Sequence, residues 1–329
     1  SDLAEMSIVS PYLRAAPCCL WGAPALLALV GCSLNPPLRV ADEVEAVEPV
    51  ELSGVPLHAQ EAHHCGPASL LTVLEASGVR PAYDEVVARV YTPGLQGSLQ
   101  AEMTAAARAF GRISYLLPGD PATVFAEVAA GRPVLVLLNL GVPSRPTWHY
   151  AVVVGFDPGR NRIVLHSGRD ERVRQRARPW MRRWEWAGRW AMVLLRPGEL
   201  PADADRDRLF TALADFEESA DPAAAGIAWR AAAERWPDAP LAWLGVGNAA
   251  YRLEDGDAAR HAFRRVLELD PDYLPARLNL ATLLAEEGRA CEGTVVLGAA
   301  PAPDHPLAAA HGELERRLVE SCPNPGLDW

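Results

Sequence analysis

Residues 55–78 read VPLHAQEAHHCGPASLLTVLEASG, and their reading decides the first half of the chain. Leu70, Leu71, Val73 and Leu74 are spaced for one buried helical stripe, Pro67 suits a first turn and Gly78 a stop, so the spacing predicts a helix opening at Cys65. A helix N-terminus presents unpaired amides and about half a positive charge, which favours thiolate over thiol. Cys65 is therefore a candidate nucleophile that still needs a base.

Working outward, helical patterns recur at 83–90, 99–110 and 122–130, the last two closed by Gly111 and Gly131. The period then changes. Continuous apolar runs at 134–140, 150–156, 161–166 and 190–195, with the turn Asp157, Pro158, Gly159 between the second and third, read as strands. Helices followed by an antiparallel sheet predict an α+β domain. His149 heads the second run in TWHYAVVVGFD, and a distant imidazole is what removes a thiol proton and later protonates a leaving amine.

VPLHAQ, CGPASL and WHYAVVVGFD, in that order, resemble the papain-like, bacteriocin-leader-processing type of cysteine peptidase domain, in the free-standing lipoprotein version with tetratricopeptide repeats. The likeness covers 52–198. It implies Cys65 as nucleophile, His149 as general base and acid, and Gln60 as the oxyanion-hole side chain acting with the Cys65 amide; such donors are worth about 10²- to 10³-fold in rate. The family's third member, Asp or Asn, follows the His by some sixteen or seventeen residues. Here that place reads Val164, Leu165, His166, Ser167, Gly168, without a carboxylate. His166 is the candidate to orient His149, with Asn139, Ser167, Asp157 and Asp170 as competitors.

His58, His63 and His64 crowd Cys65, but no matching ligand spacing follows, so neither a metal nor another cofactor is expected. Residues 169–190 hold eight Arg and four Trp. A membrane or nucleic-acid patch is one reading; the preferred one has Trp180, Trp184, Trp186 and Trp190 anchoring a helix and the last strand while Arg groups face water.

A 34-residue period organises the tail: Leu209, Trp243 and Arg277 superimpose, as do Ala225, Ala259 and Gly293, Trp229, Phe263 and Leu297, and Pro237 and Pro271. This is the tetratricopeptide period, and it predicts an all-α repeat domain over 205–329, with 307–320 as a cap. A concave helical surface of this kind takes a peptide or protein partner.

The N-terminus reads as an anchor. Residues 15–31 are apolar but too short and Pro-interrupted to span a membrane, and Leu29, Val30, Gly31, Cys32 resemble a bacterial lipobox. The resemblance implies a signal peptide over 1–31, lipid on Cys32, an acidic tether over 32–51, and, with Ser33 following, the periplasmic side of the outer membrane. Cys291 and Cys322 pair if the last helices bring them within about 6 Å. The chain's net charge of −11, with 23 acidic and 12 basic residues after residue 200, excludes a global field for nucleic acid. The expected function is thus a lipid-anchored cysteine peptidase acting on a peptide or protein; the alternatives are a silent scaffold that uses its repeats for binding and an acyl or amide transferase using the same thiol.

Overall fold

The computed structural model describes residues 39–43, 48–59 and 63–322. The expected signal segment, the lipidation site Cys32 and Gln60 lie outside the described residues. Seven strands form one antiparallel sheet: β1 (Val50–Glu51), β2 (Ile113–Leu116), β3 (Val134–Asn139), β4 (Trp148–Asp157), β5 (Arg162–Ser167), β6 (Asp170–Arg176) and β7 (Ala191–Leu195). The order is β2-β7-β3-β4-β5-β6, and β1 pairs with β4 at Gly155 and Phe156, past the Val134–Val153 pair at which β3 begins. Gly155 permits that pairing, since a Cβ there would lie 2.6 Å from the Val50 carbonyl oxygen.

Both faces of the sheet are covered, which is why its central strands are apolar without a break. Helices α1 (Cys65–Ala76), α2 (Tyr83–Val90) and α3 (Gln100–Ala109) bury Leu70, Leu74, Val86 and Met103 against Leu135, Leu137, Tyr150, Val152 and Val154. On the other face α4 (Pro121–Ala129) and α5 (Ala177–Glu185) bring Phe125, Trp180 and Trp184 onto Val136, Ala151 and Val153.

Helices α6 (Arg206–Glu217), α7 (Pro222–Arg235), α8 (Pro240–Arg252), α9 (Gly256–Leu269), α10 (Leu274–Glu286), α11 (Ala290–Leu297) and α12 (Ala308–Ser321) form the repeats. The first is not a separate body: Leu209, Phe210 and Leu213 of α6 share one apolar core with Ile113 and Tyr115 of β2.

Within the stack, close approach depends on glycine. A Cβ on Gly245 would lie 2.2 Å from Trp229 Cδ2, and one on Gly247 2.4 Å from Phe263 Cε1, so each ring of one repeat fills the room a side chain would take. Gly312 on α12 has nothing within 4 Å. Gly245→Ala is therefore expected to lower stability by about 1–2 kcal/mol, overpacking outweighing the gain in helix propensity. Gly312→Ala should raise it by up to about 1 kcal/mol. Urea unfolding of the two variants checks this, and a shift of the same sign in both would refute it.

Candidate active site

Cys65 is the first residue of α1 and the free thiol among the described residues, half-buried at the helix end. No side chain caps that end: His64, at the N-cap, makes no capping hydrogen bond, and its ring Nδ1 instead lies 3.1 Å from the Tyr83 hydroxyl and packs edge-on to Tyr91. Gly66 is there because the 97–99 loop presses on the helix; its Cβ would sit 2.3 Å from Ser98 Oγ. Tyr150 holds that loop by donating to the Ser98 carbonyl at 3.2 Å, and burial pushes its phenol well above the ordinary range. Cys65 packs on the cluster that contains Tyr150, the residue after His149 on β4.

His149 is 9% exposed, and its Nε2 lies 2.9 Å from Ser167 Oγ. With the ring proton on Nε2, that nitrogen donates to the hydroxyl and Nδ1 keeps its lone pair. No hydrogen bond engages Nδ1 among the described residues, and none joins His149 to the Cys65 thiol. Burial lowers the affinity of this imidazole for a proton, so it is unprotonated, and able to accept one, at neutral pH.

The expected pairing of His149 with His166 is corrected by the structure. Adjacent residues of a strand point to opposite faces. Ile163, Leu165 and Ser167 share the face of Ala151, Val153 and His149, which leaves His166 on the other side. There it is buried, donates from Nε2 to the Val55 carbonyl at 3.1 Å, and accepts the Arg172 amide on Nδ1 at 3.2 Å. His166 ties the segment leading to the helix, at Val55, to the sheet. None of the other competitors is hydrogen-bonded to His149 among the described residues: Asn139 Oδ1 accepts the amides of Gly141 and Thr147 and closes the β3–β4 turn, Asp157 caps its own turn at Arg160, and Asp170 stands opposite Ser167 in the register of the β5–β6 hairpin. His58 Nε2 lies 3.4 Å from Glu75 Oε2. Among the described residues no group of three His, Cys, Asp or Glu is gathered for a metal.

His149 and His166 both titrate below their ordinary value because burial strips hydration from the charged form. As pH falls below about 6.5 the unfolded chain takes up protons that the folded chain refuses, so stability is lost from there downward until the folded values are reached. The urea midpoint should fall between pH 7.5 and 5, with a shallower fall in His166→Gln; an equal slope in the two proteins would contradict this.

Residues 52–192 match the model of the Peptidase_C39 like family, and residues 250–314 match a tetratricopeptide repeat model. Among solved structures the chain is similar to a protein described as a C39-like peptidase from Bacillus anthracis, at 16% identity and TM-score 0.38 over 45% of this chain and 98% of the other. It is also similar to the MamA protein, at 14% identity and TM-score 0.26 over 36% and 74%. No curated protein matches it. The chain therefore joins a peptidase C39-like domain, built on the sheet and its flanking helices, to a stack of tetratricopeptide repeats.

Proposed function

We propose that this chain is a lipid-anchored cysteine peptidase facing the periplasm, with Cys65 as nucleophile, His149 as acid and base, and Ser167 in place of the usual carboxylate. The observation that carries the reading is the orientation of His149: Nε2 is held by Ser167 while Nδ1 carries no hydrogen bond among the described residues. Cys65 packs with Tyr150 on one face of the sheet and His149, its neighbour on β4, is turned to the other, so catalysis requires Sγ and Nδ1 to meet around the end of the sheet, where His149 is the second residue of β4.

The thiol proton then passes to Nδ1, sulfur bonds to the peptide carbonyl carbon, and the carbonyl electrons collect on oxygen, where the Cys65 amide and Gln60 donate to them. His149 returns the proton to the leaving nitrogen as the C–N bond breaks. Water, deprotonated by the same nitrogen, displaces sulfur from the thioester and restores the thiol.

Exposed apolar groups flank these elements, namely Leu95 and Leu99 around Ser98, Trp148 beside His149, and Leu140 and Val142 on the β3–β4 turn, and they suit an extended peptide with apolar side chains. The bond between Cys291 and Cys322 supports an oxidising compartment. Recruitment of substrate or a partner falls to the repeats. One observation favours a second reading, a silent scaffold: the partner of His149 is a neutral hydroxyl, which stabilises an imidazolium less than a carboxylate does.

Iodoacetamide separates the two. An activated Cys65 is alkylated at pH 6 about tenfold or more faster than free cysteine, and His149→Ala removes that advantage. Alkylation at the rate of free cysteine in both proteins would leave the scaffold.

A further inference from the structure

The register of β5 and β6 sets Arg162 directly opposite Arg176, and Val164 opposite Arg174. Like charges in that relation repel and destabilise a sheet. Neither the Arg162 nor the Arg176 side chain makes a hydrogen bond or ion pair among the described residues. Arg160, Arg162 and Arg174 line a cavity of about 360 Å³ together with Phe156 and Val164. Its two carboxylates are already taken: Glu51 by Arg172 and Arg174, at 2.5 and 2.6 Å, and Asp157 by Arg160 at 3.1 Å. Three guanidinium groups against two carboxylates leave this concave site one positive charge in excess, in a chain whose net charge is −11, and suit it to an anion.

The path of the chain says which anion. Val40 is buried in the core, and its amide donates at 2.9 Å to Asn161 Oδ1, in the turn between Arg160 and Arg162. Cys32 precedes Val40 by eight residues, which at about 3.3–3.6 Å each span at most about 29 Å. On the reading that Cys32 carries lipid, on which this inference rests, that turn is held within a tether's length of the bilayer. The repeats, with their 23 acidic against 12 basic residues after residue 200, are repelled from an anionic leaflet, so the basic end faces inward. We propose that the cavity between β1 and the β5–β6 hairpin binds the phosphodiester headgroup of an anionic phospholipid and lays this edge of the sheet on the membrane.

The test uses the mature chain, residues 32–329 with Cys32→Ser, so that no acyl chain contributes; residues 37–329 form a compact unit without the preceding segment. Co-sedimentation is measured with phosphatidylcholine vesicles containing about 30% phosphatidylglycerol and with phosphatidylcholine alone, at about 0.1 M salt. Binding is expected to be at least about tenfold stronger on the anionic vesicles, to fall about thirtyfold in the Arg160→Gln, Arg162→Gln double variant, and to survive in the corresponding double Lys variant. Equal partition onto both vesicles, or an unchanged Gln variant, overturns the proposal. So does protection against thermal unfolding by inorganic phosphate without vesicle binding, which would make this a site for free phosphate. Failure of the anchor reading shows elsewhere, as an unmodified Cys32 in the mass spectrum of the envelope fraction.

Discussion

His149→Ala is expected to lower peptide cleavage by about 10²- to 10⁴-fold, and Cys65→Ala to abolish thioester formation altogether, whereas Ser167→Ala costs only about two- to tenfold. The grading follows from the bonds. Removing the imidazole removes the group that moves the proton in both half-reactions. Removing the Ser167 hydroxyl removes one neutral hydrogen bond, at 2.9 Å, of the kind worth about 0.5–1.5 kcal/mol. Ser167→Asp should then act in the opposite sense. A carboxylate there favours the imidazolium, so the cleavage rate at neutral pH rises and the pH at which His149 titrates moves upward. Turnover of a fluorogenic peptide library by the four variants, with a pH profile for Ser167→Ala and Ser167→Asp, gives the comparison. A Ser167→Asp profile superimposable on that of the parent would remove Ser167 from the role of positioning residue, since a merely structural hydroxyl has no reason to move a titration.

Much of this arrangement was legible in the sequence because the signals were local. The helix opening at Cys65 follows from Pro67, the Leu70–Leu74 stripe and Gly78, and α1 begins there. The runs that became β3, β4, β5 and β7 are apolar because both faces of the sheet are covered, and such runs need no partner to be recognised. β6 escaped notice for the converse reason. It is the edge strand, its sequence DERVRQR alternates charge around one Val, and charged edges are how a sheet avoids further pairing. β2 is four residues long, and its burial depends on α6 docking from far along the chain. The choice between His166 and Ser167 turned on a single residue of strand phase. Both lie within reach in sequence, and only the pairing of β5 with β4, with its register shift between Val153 and Gly155, decides which one shares the face of His149. Chemical type pointed to His166, and strand geometry to Ser167.

Loss of the Cys291–Cys322 bond is expected to cost the last repeat about 3–4 kcal/mol while leaving the sheet folded. The bond joins α11 to the end of α12, with Cα atoms 5.2 Å apart, and closes a loop of 31 residues. A loop of that length, left open in the unfolded chain, corresponds to a stabilisation of about 3–4 kcal/mol by chain entropy. The segment it closes has little else: α11 is eight residues long, and α12 is held mainly by Leu314 and Leu318, the latter packed where a side chain on Gly293 would stand. Because each repeat in such a stack contacts chiefly its neighbours, the loss stays at the end of the array. Its signature in the Cys291→Ala, Cys322→Ala variant is an early unfolding transition and fast amide exchange confined to α11 and α12, with α1 and the strands around His149 as protected as before. Reduction of the parent chain should reproduce that pattern. If exchange instead quickened through α6 and the sheet it packs on, the repeats and the C39-like domain would unfold as one unit, and the core shared by Leu209, Phe210 and Tyr115 would be transmitting the loss.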